Sequence, residues 1–337
     1  MKILVIPPKY RLTKKIAQSL NIIDRNRGAI DNVDIPIELE RNLREESIMG
    51  SSLYSARIEG SPIRADQIAK LNRTLRGNKN LLEIANLNRA YNLIWSERQK
   101  KASFSNRDII QWHKVAMRGV ISGEYYGCFR NTEEGIFDRM GNAVYHAPPA
   151  KYVRELISEL VRYLNSSREK LNPVKAILAH LVLEKIHPFV DGSGRVGRLL
   201  QFAVMVSQGY GMKGLAYVEE YIDKNRPLYY HAIENSSSAD STEFVELMTD
   251  FLAQATTAAK DRLIDRMKNF EKLDLLPPRR RELVQIIRDH QMVSLDFLHR
   301  RFLEIAPRLL RYDLFQLAKD GHIKKLGRTR GALYAPK

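Results

Sequence analysis

The sequence predicts a mainly helical fold with one exposed β-hairpin and a small basic domain at its C-terminal end. Apolar residues recur at helical spacing through most of the chain after residue 45. A stretch rich in Gly, Tyr, Asn and Pro interrupts them between Gly123 and Pro149. The pair Pro277-Pro278 then separates the last long helical stretch from a segment dense in Lys and Arg.

Helical periodicity divides the chain into four parts. We predict an N-terminal helical region over 1–100 that is irregular in 1–45, a central helical domain over 101–257, a linker helix over 258–276 and a C-terminal domain over 277–337. Asn106 is the expected cap of one helix, and Pro173 suits the first turn of another. Candidate helices in the first two parts are 45–58, 64–75, 80–98, 106–118, 151–165, 173–186, 194–208, 225–236 and 241–258.

The composition is that of an ordinary folded protein, with 44% hydrophobic and 28% charged residues among 337. No apolar run is long enough to span a bilayer, and the first residues lack a secretion signal, so we expect a cytoplasmic protein without a membrane partner. Cys128, the single cysteine, excludes an intramolecular disulfide and a cysteine-based zinc site. The net charge of +16 favours nucleotides, nucleic acid or acidic proteins as partners, but a generally basic solvated surface is an equal alternative.

The interrupting stretch and the C-terminal segment each predict a hairpin. Ile136-Phe137 and Val144-Tyr145 are candidate strands joined through 139–142. The C-terminal segment reads as helices at 279–289, 293–301 and 307–320, followed by strands in 321–326 and 332–334. This is a winged helix-turn-helix pattern, for which DNA and protein partners are equally expected. Its basic residues include Arg308 and Arg311 near the third helix and Arg328 and Arg330 on the wing.

One loop carries a chemical signature. The apolar helix 173–186 is expected to end at His187, because Pro188 disfavours helical geometry before it. An imidazole at a loop mouth suits a general base. Gly192 and Gly194 permit close approach of backbone amides to a phosphate, and Asp191 is a candidate Mg²⁺ ligand.

The helix that follows the loop begins with cations, which oppose its macrodipole. Arg195 and Arg198 share one face of its first turn, and this placement indicates that an anion binds there. The residues therefore describe a polyphosphate site with a metal and a base. The alternative is a glycine-rich turn between two core helices, with the arginines in salt bridges and Asp191 as a cap.

At these positions the chain resembles the Fic family, whose motif is His-x-Phe-x-Asp/Glu-Gly-Asn-Gly-Arg-x-x-Arg. Only Ser193 departs from it, where the family usually has Asn, and the resemblance covers roughly residues 45–255. The resemblance implies a Fic-type helical domain. Such a domain moves AMP from ATP, with Mg²⁺, to a Ser, Thr or Tyr hydroxyl of a target protein. The protein could also modify itself, through hydroxyls near the hairpin such as Tyr125 or Tyr145. The matching residues are His187, Phe189, Asp191, Gly192, Ser193, Gly194, Arg195 and Arg198.

The resemblance also implies a role for each matching residue. His187 would deprotonate the hydroxyl, Asp191 would hold Mg²⁺ between the α- and β-phosphates, and Arg195 and Arg198 would bind the β- and γ-phosphates. The nucleotide-binding residues are then Asp191, Gly192, Ser193, Gly194, Arg195, Val196, Gly197 and Arg198, with Tyr229 and Tyr230 at the adenosine. The hairpin corresponds to the family's target-docking flap, with Gly135, Ile136 and Phe137 as its docking strand.

A second motif, Ser55-Ala-Arg-Ile-Glu59-Gly60, resembles the family's inhibitory helix, expected here at about 45–60. The resemblance implies that Glu59 pairs with Arg198 and competes with the γ-phosphate for its guanidinium. In some relatives the same Glu helps remove AMP, and the sequence does not choose the dominant direction.

The sequence also allows other interpretations of the protein's function. The chain is alternatively a DNA-binding regulator whose Fic-like domain senses nucleotide, although a sensor does not need His187. Transfer of phosphate or phosphocholine, as in some relatives, fits the two arginines less well than AMP transfer. Homodimers are common among such proteins, but no feature of this sequence requires one.

Overall fold

The structure is a computed structural model that describes residues 4–64, 78–99, 103–133, 135–137, 143–273, 276–327 and 331–337. Contacts divide the chain into two units, Met1–Asp261 and Arg262–Lys337. Both units consist mainly of helices, which confirms the predicted fold class. The predicted helix at 64–75 lies almost entirely outside the described residues. Among the helices that are described, none is long and apolar enough to cross a membrane.

The N-terminal region is helical, so the prediction of an irregular segment over 1–45 was wrong. Helix α1 spans Lys14–Asp31 and α2 spans Ile37–Ile58. The side chain of Thr13 caps α1 by accepting a hydrogen bond from the Ile16 amide. Helix α2 has a weak apolar stripe because many of its buried residues are serines, and its start lies eight residues earlier than predicted.

The rest of the first unit agrees with the helices predicted from the sequence, except that the short helix Glu219–Lys224 was not predicted. Two helices, α6 and α7, pack against each other at the centre and are buried over almost their whole length. Ser105 caps α4 in a capping box with Asp108, which corrects the expectation that Asn106 is the cap. The helices are α3 (Lys79–Arg98), α4 (Asn106–Met117), α5 (Val153–Leu164), α6 (Asn172–Ile186), α7 (Ser193–Ser207), α8 (Glu219–Lys224), α9 (Arg226–Asn235) and α10 (Thr242–Leu273), the last of which continues past Asp261 into the second unit.

Helix α10 corrects the predicted break near residue 258. Neither Pro nor Gly occurs within Thr242–Leu273, so the two helices predicted on either side of 258 are one continuous helix. The predicted hairpin is present as strands β1 (Gly135–Phe137) and β2 (Ala143–His146), paired antiparallel with Ile136 opposite Tyr145. The turn predicted at 139–142 lies outside the described residues.

Besides the end of α10, the second unit has three helices and a small antiparallel sheet in the described residues. A core of its own includes Leu283, Leu314 and Tyr334. Val293 and Ser294 form a strand that pairs with the last strand, so the helix predicted at 293–301 begins two residues later. The elements are α11 (Pro278–His290), β3 (Val293–Ser294), α12 (Leu295–His299), α13 (Pro307–Lys319), β4 (Ile323–Leu326) and β5 (Leu333–Pro336), with sheet order β3-β5-β4.

The partner of this unit stays a prediction. Arg308 and Arg311 are exposed on α13, where the winged-helix interpretation expects them. Arg328 and Arg330 lie outside the described residues.

Candidate active site

The loop between α6 and α7 has the conformation that its sequence predicts. His187 ends α6 in the left-handed region, with φ 47°, and its amide donates to the Leu183 carbonyl at 2.9 Å. Gly192 then starts α7 with φ 93°, and an added Cβ there would lie 2.9 Å from the Met117 sulfur. The predicted end of the helix at His187 is therefore confirmed, and glycine is required where α7 begins.

Ser193 closes this loop on itself. Its Oγ accepts a hydrogen bond from the Phe189 amide at 3.1 Å and donates to the Phe189 carbonyl at 3.2 Å. Its side chain is buried. The short hydroxyl is thus used to fix the turn at the position where the motif usually has Asn.

Arg130 organises the outer side of the loop and was not recognised as a site residue in the sequence. This buried side chain donates from Nε to the His187 carbonyl at 2.7 Å and from Nη2 to the Pro148 carbonyl at 2.6 Å. Its own amide donates to the Pro188 carbonyl at 2.9 Å. The guanidinium therefore ties the end of α6 to the segment that follows the hairpin.

Replacing Arg130 by Lys is expected to lower the free energy of unfolding by about 2 to 4 kcal/mol. A single ammonium group cannot reproduce the planar set of donors that binds several carbonyls, so buried acceptors lose their partners. Urea unfolding monitored by fluorescence tests this. Arg118→Lys, a change outside the loop, is the control, and equal stability of the two variants would contradict the role of Arg130.

The side chain of His113, on α4, packs against the loop between α6 and α7. The Gly127 amide donates to its Nδ1 at 3.1 Å, which places the proton on Nε2, and Nε2 donates to the Asp191 carbonyl at 3.0 Å. Its ring stacks on Phe189 with 3.9 Å between centroids. Burial lowers the pKa of His113 to about 4, so the neutral ring is the form that fits this site.

His113 makes the stability of the first unit depend on pH. Between pH 6.5 and about 4 the unfolded chain binds a proton at this position and the folded chain does not, so the free energy of unfolding falls as the pH falls. The expected loss is about 3 kcal/mol over that range. Urea titrations of the wild type and His113→Gln across this range measure it, and identical pH profiles for the two proteins would contradict it.

Arg195 lies between two carboxylates. It donates from Nη1 to Oε1 of Glu83, on α3, and from Nη2 to Oδ1 of Asp191 in the loop. Its Nε is buried and has no hydrogen-bond partner among the described residues. Asp191 is about half exposed, and the described residues contain no cluster of three or more potential metal ligands. Asp191 is thus an accessible carboxylate beside the guanidinium of Arg195.

Arg198 is buried and bound to the end of α2. Its Nε donates to the Ser55 Oγ at 2.9 Å, and its Nη2 donates to the Ser55 carbonyl at 3.1 Å and to Oε1 of Glu59 at 2.6 Å. Burial opposes the charge of Arg198, but Glu59 together with Tyr229 and Glu184 outweighs this effect and holds the pKa of Arg198 above its usual value. The contact between Glu59 and Arg198 that the second motif predicts is therefore present.

The first turn of α7 is shaped for this contact. An added Cβ at Gly194 would lie 2.5 Å from Oε1 of Glu59, so the carboxylate rests directly on the turn. Gly197 faces the ring of His180, where an added Cβ would lie 2.8 Å from Cδ2, and Val196 is buried. Both glycines allow close packing, and an added Cβ at either one would also approach Oε1 of Glu184, whereas Val196 belongs to the core.

The two tyrosines of α9 have different surroundings. Tyr229 is 1% exposed, and its hydroxyl lies 3.0 Å from Nε2 of His180. Tyr230 is 46% exposed, and its hydroxyl donates to the Ile58 carbonyl at 3.2 Å. Tyr230 is therefore the member of the pair that a ligand can reach from solvent. The side chains of Gly135, Ile136 and Phe137 lie outside the described part of the structure.

Comparison with known proteins identifies this region. Residues 103–205, which include α4, α6, the loop and most of α7, match the Fic/DOC family. They form a Fic domain. Outside it, α2 supplies Glu59 and α3 supplies Glu83, so the Fic domain is completed by residues that precede it in the chain.

Relatives extend the match beyond the Fic domain. The chain is 28% identical over 242 residues to Protein adenylyltransferase Fic of Drosophila erecta, which covers 68% of this chain and 46% of that protein. The same protein of Drosophila melanogaster is 28% identical over 254 residues, covering 71% and 48%. The chain thus spans about half the length of these curated relatives.

Solved structures show that the fold is shared. A Fic family protein from Desulfovibrio desulfuricans G20 superposes with a TM-score of 0.73 at 23% identity and covers 98% of both chains. Fic-1 from C. elegans superposes with a TM-score of 0.61 at 20% identity and covers 75% of this chain and 73% of that one. The Fic-type helical fold predicted from the motif is confirmed.

Proposed function

We propose that the Fic domain transfers AMP from ATP to a Ser, Thr or Tyr hydroxyl of a protein, and that Glu59 inhibits this reaction. The observation that carries the proposal is the contact of Glu59 with Arg198, 2.6 Å between Oε1 and Nη2, at the end of a loop that also contains His187 and Asp191. A carboxylate that binds this arginine is a chemical substitute for a phosphate oxygen. The names of the curated relatives support the reaction class.

ATP is the substrate, and the residues of the loop fit a polyphosphate. Arg195 has a buried Nε donor without a partner among the described residues, and a phosphate oxygen would satisfy it. The amides at the start of α7 point out of the helix N-terminus and favour an anion. Asp191 is the accessible carboxylate that would hold Mg²⁺, which neutralises phosphate charge when bound.

His187 is assigned the proton transfer. Its backbone is fixed by Arg130, and its Nδ1 makes no hydrogen bond to any residue that the structure describes. The imidazole takes the proton of the target hydroxyl, and the hydroxyl oxygen forms a bond to the α-phosphorus of ATP. The bond from that phosphorus to the β-phosphate oxygen breaks, and pyrophosphate leaves.

Inhibition follows from competition for Arg198. With Glu59 and Ser55 on its guanidinium, Arg198 is not available to a γ-phosphate. ATP then binds with its α-phosphate displaced from in-line attack, and loss of alignment lowers the rate steeply. The end of α2 is held in place by two further contacts, Arg57 with Asp223 at 3.1 Å and Tyr230 with the Ile58 carbonyl.

Transfer of label from ATP tests the reaction class. In the Glu59→Gly variant with Mg²⁺, we expect α-labelled ATP to label protein and γ-labelled ATP to leave it unlabelled. Label from the γ-position alone would show phosphate transfer instead. Intact ATP binding without any label on the chain or on proteins of a cell extract would favour the nucleotide-sensing regulator, and salt-dependent binding to duplex DNA would then be measured.

A further inference from the structure

Arg195 is held by a carboxylate that belongs to neither motif. Oε1 of Glu83 accepts from Nη1 of Arg195, while Asp191 accepts from Nη2 on the other side of the same guanidinium. Glu83 comes from α3, 112 residues away from Arg195 in sequence. Both side chains are less than a tenth exposed, so this ion pair is inside the protein.

Glu83 and Glu59, the acids from outside the loop that hold the arginines of α7, differ in how they are anchored. Glu83 lies in the first two turns of a 20-residue helix whose start is capped by Asn78, which accepts from the Asn80 and Leu81 amides at 3.1 Å each. Glu59 follows the last turn of α2, its side chain is 28% exposed, and the next residue, Gly60, has φ 100°. Glu83 is therefore fixed by a capped helix, whereas Glu59 lies at a helix end.

We propose that Glu83 is a positioning residue that orders Arg195 for phosphate binding. A long guanidinium side chain loses rotamer entropy when a ligand immobilises it, and ordering it beforehand increases affinity. Glu83 occupies Nη1, which leaves Nε, unpartnered among the described residues, as a donor for a phosphate oxygen. The inference rests on the proposed function only in assigning ATP to this loop.

Glu83 could also change the affinity for ATP in the opposite direction. A buried carboxylate also reduces the positive potential of Arg195, and its removal would strengthen phosphate binding if potential alone mattered. Burial raises the pKa of Glu83 and the guanidinium of Arg195 opposes that rise, so the charge of Glu83 is favoured by this contact. The direction of the change in ATP affinity therefore separates positioning from competition.

The test is the dissociation constant of ATP, measured by calorimetry on the full chain with Mg²⁺. All variants carry Glu59→Gly so that Arg198 is accessible. We expect Glu83→Ala to weaken binding about tenfold, the loss of one charged hydrogen bond. Glu83→Gln, which keeps an acceptor for Nη1, is expected to recover more than half of that loss in free energy. Glu97→Ala, the same charge change on the same helix, is the control and should bind as its parent does.

A double-mutant cycle tests whether Glu83 acts through Arg195. Once Arg195→Ala is present, Glu83→Ala should have no further effect on ATP affinity. Unchanged or tighter binding in Glu83→Ala would overturn the proposal, and so would losses that add in the double variant. Because binding rather than transfer is measured, failure of AMP transfer in every variant would reject the proposed function and leave this result standing.

Discussion

Glu59→Gly is expected to raise the rate of AMP transfer by about a hundredfold over the wild type. Removing the carboxylate frees one N–H of Nη2 of Arg198, and the guanidinium keeps its place because it remains bound to Ser55. A γ-phosphate can then bind where Glu59 did, and the α-phosphate comes into line with the attacking oxygen. Misplacement of reacting atoms by about 1 Å costs roughly this factor. Initial rates at saturating ATP measure the effect.

Glu59→Gln is the matched control for the charge. The amide keeps the size of the side chain and one acceptor for Arg198, but it binds a guanidinium more weakly than a carboxylate does. Its rate should therefore lie between the wild type and Glu59→Gly. No rise in either variant would mean that the contact with Arg198 is a structural ion pair without a role in inhibition.

Loss of His187 is expected to change the rate of AMP transfer in the opposite direction and by at least as large a factor. In the Glu59→Gly background, replacement of His187 should lower transfer by about 10² to 10⁴-fold, because the target hydroxyl then has no base. The dissociation constant of ATP should stay the same, since the proposed phosphate ligands are in α7 and the preceding loop. Rates and calorimetry on the same variants measure both quantities.

The residue that replaces His187 decides how much the backbone of the loop is strained in this test. His187 has φ 47°, a conformation that costs alanine about 1 kcal/mol and that asparagine tolerates better. His187→Asn therefore removes the base with less strain in the loop, and His187→Ala serves for comparison. If both variants lose ATP binding together with transfer, His187 would be a structural residue, and its assignment as the base would be wrong.

Local sequence features predicted the loop because they act over a few residues. Pro188 and Gly192 fix the end of α6 and the start of α7 through backbone geometry. The helical spacing of apolar residues in α6 indicates that this helix is buried. The contact between Glu59 and Arg198 was predicted only because a second motif was available. Such features carry no information about residues that approach the loop from elsewhere.

The missed residues share this physical reason. Arg130, His113 and Glu83 reach the loop from other segments, and nothing in their own neighbourhood distinguishes them from surface charges or core histidines. Helix α1 was missed, and the start of α2 was predicted too late, because charged residues dilute the apolar period of both segments. Burial of Tyr229 but not Tyr230 likewise depends on packing against His180 and Phe244.

The most direct test of inhibited AMP transfer is labelling from α-labelled ATP and Mg²⁺ in three proteins assayed side by side. These are the wild type, Glu59→Gly, and Glu59→Gly combined with His187→Asn. The account predicts strong labelling of protein in the single variant, about a hundredfold less in the wild type and little in the double variant. Equal labelling of the wild type and Glu59→Gly, or labelling that survives the loss of His187, would contradict it.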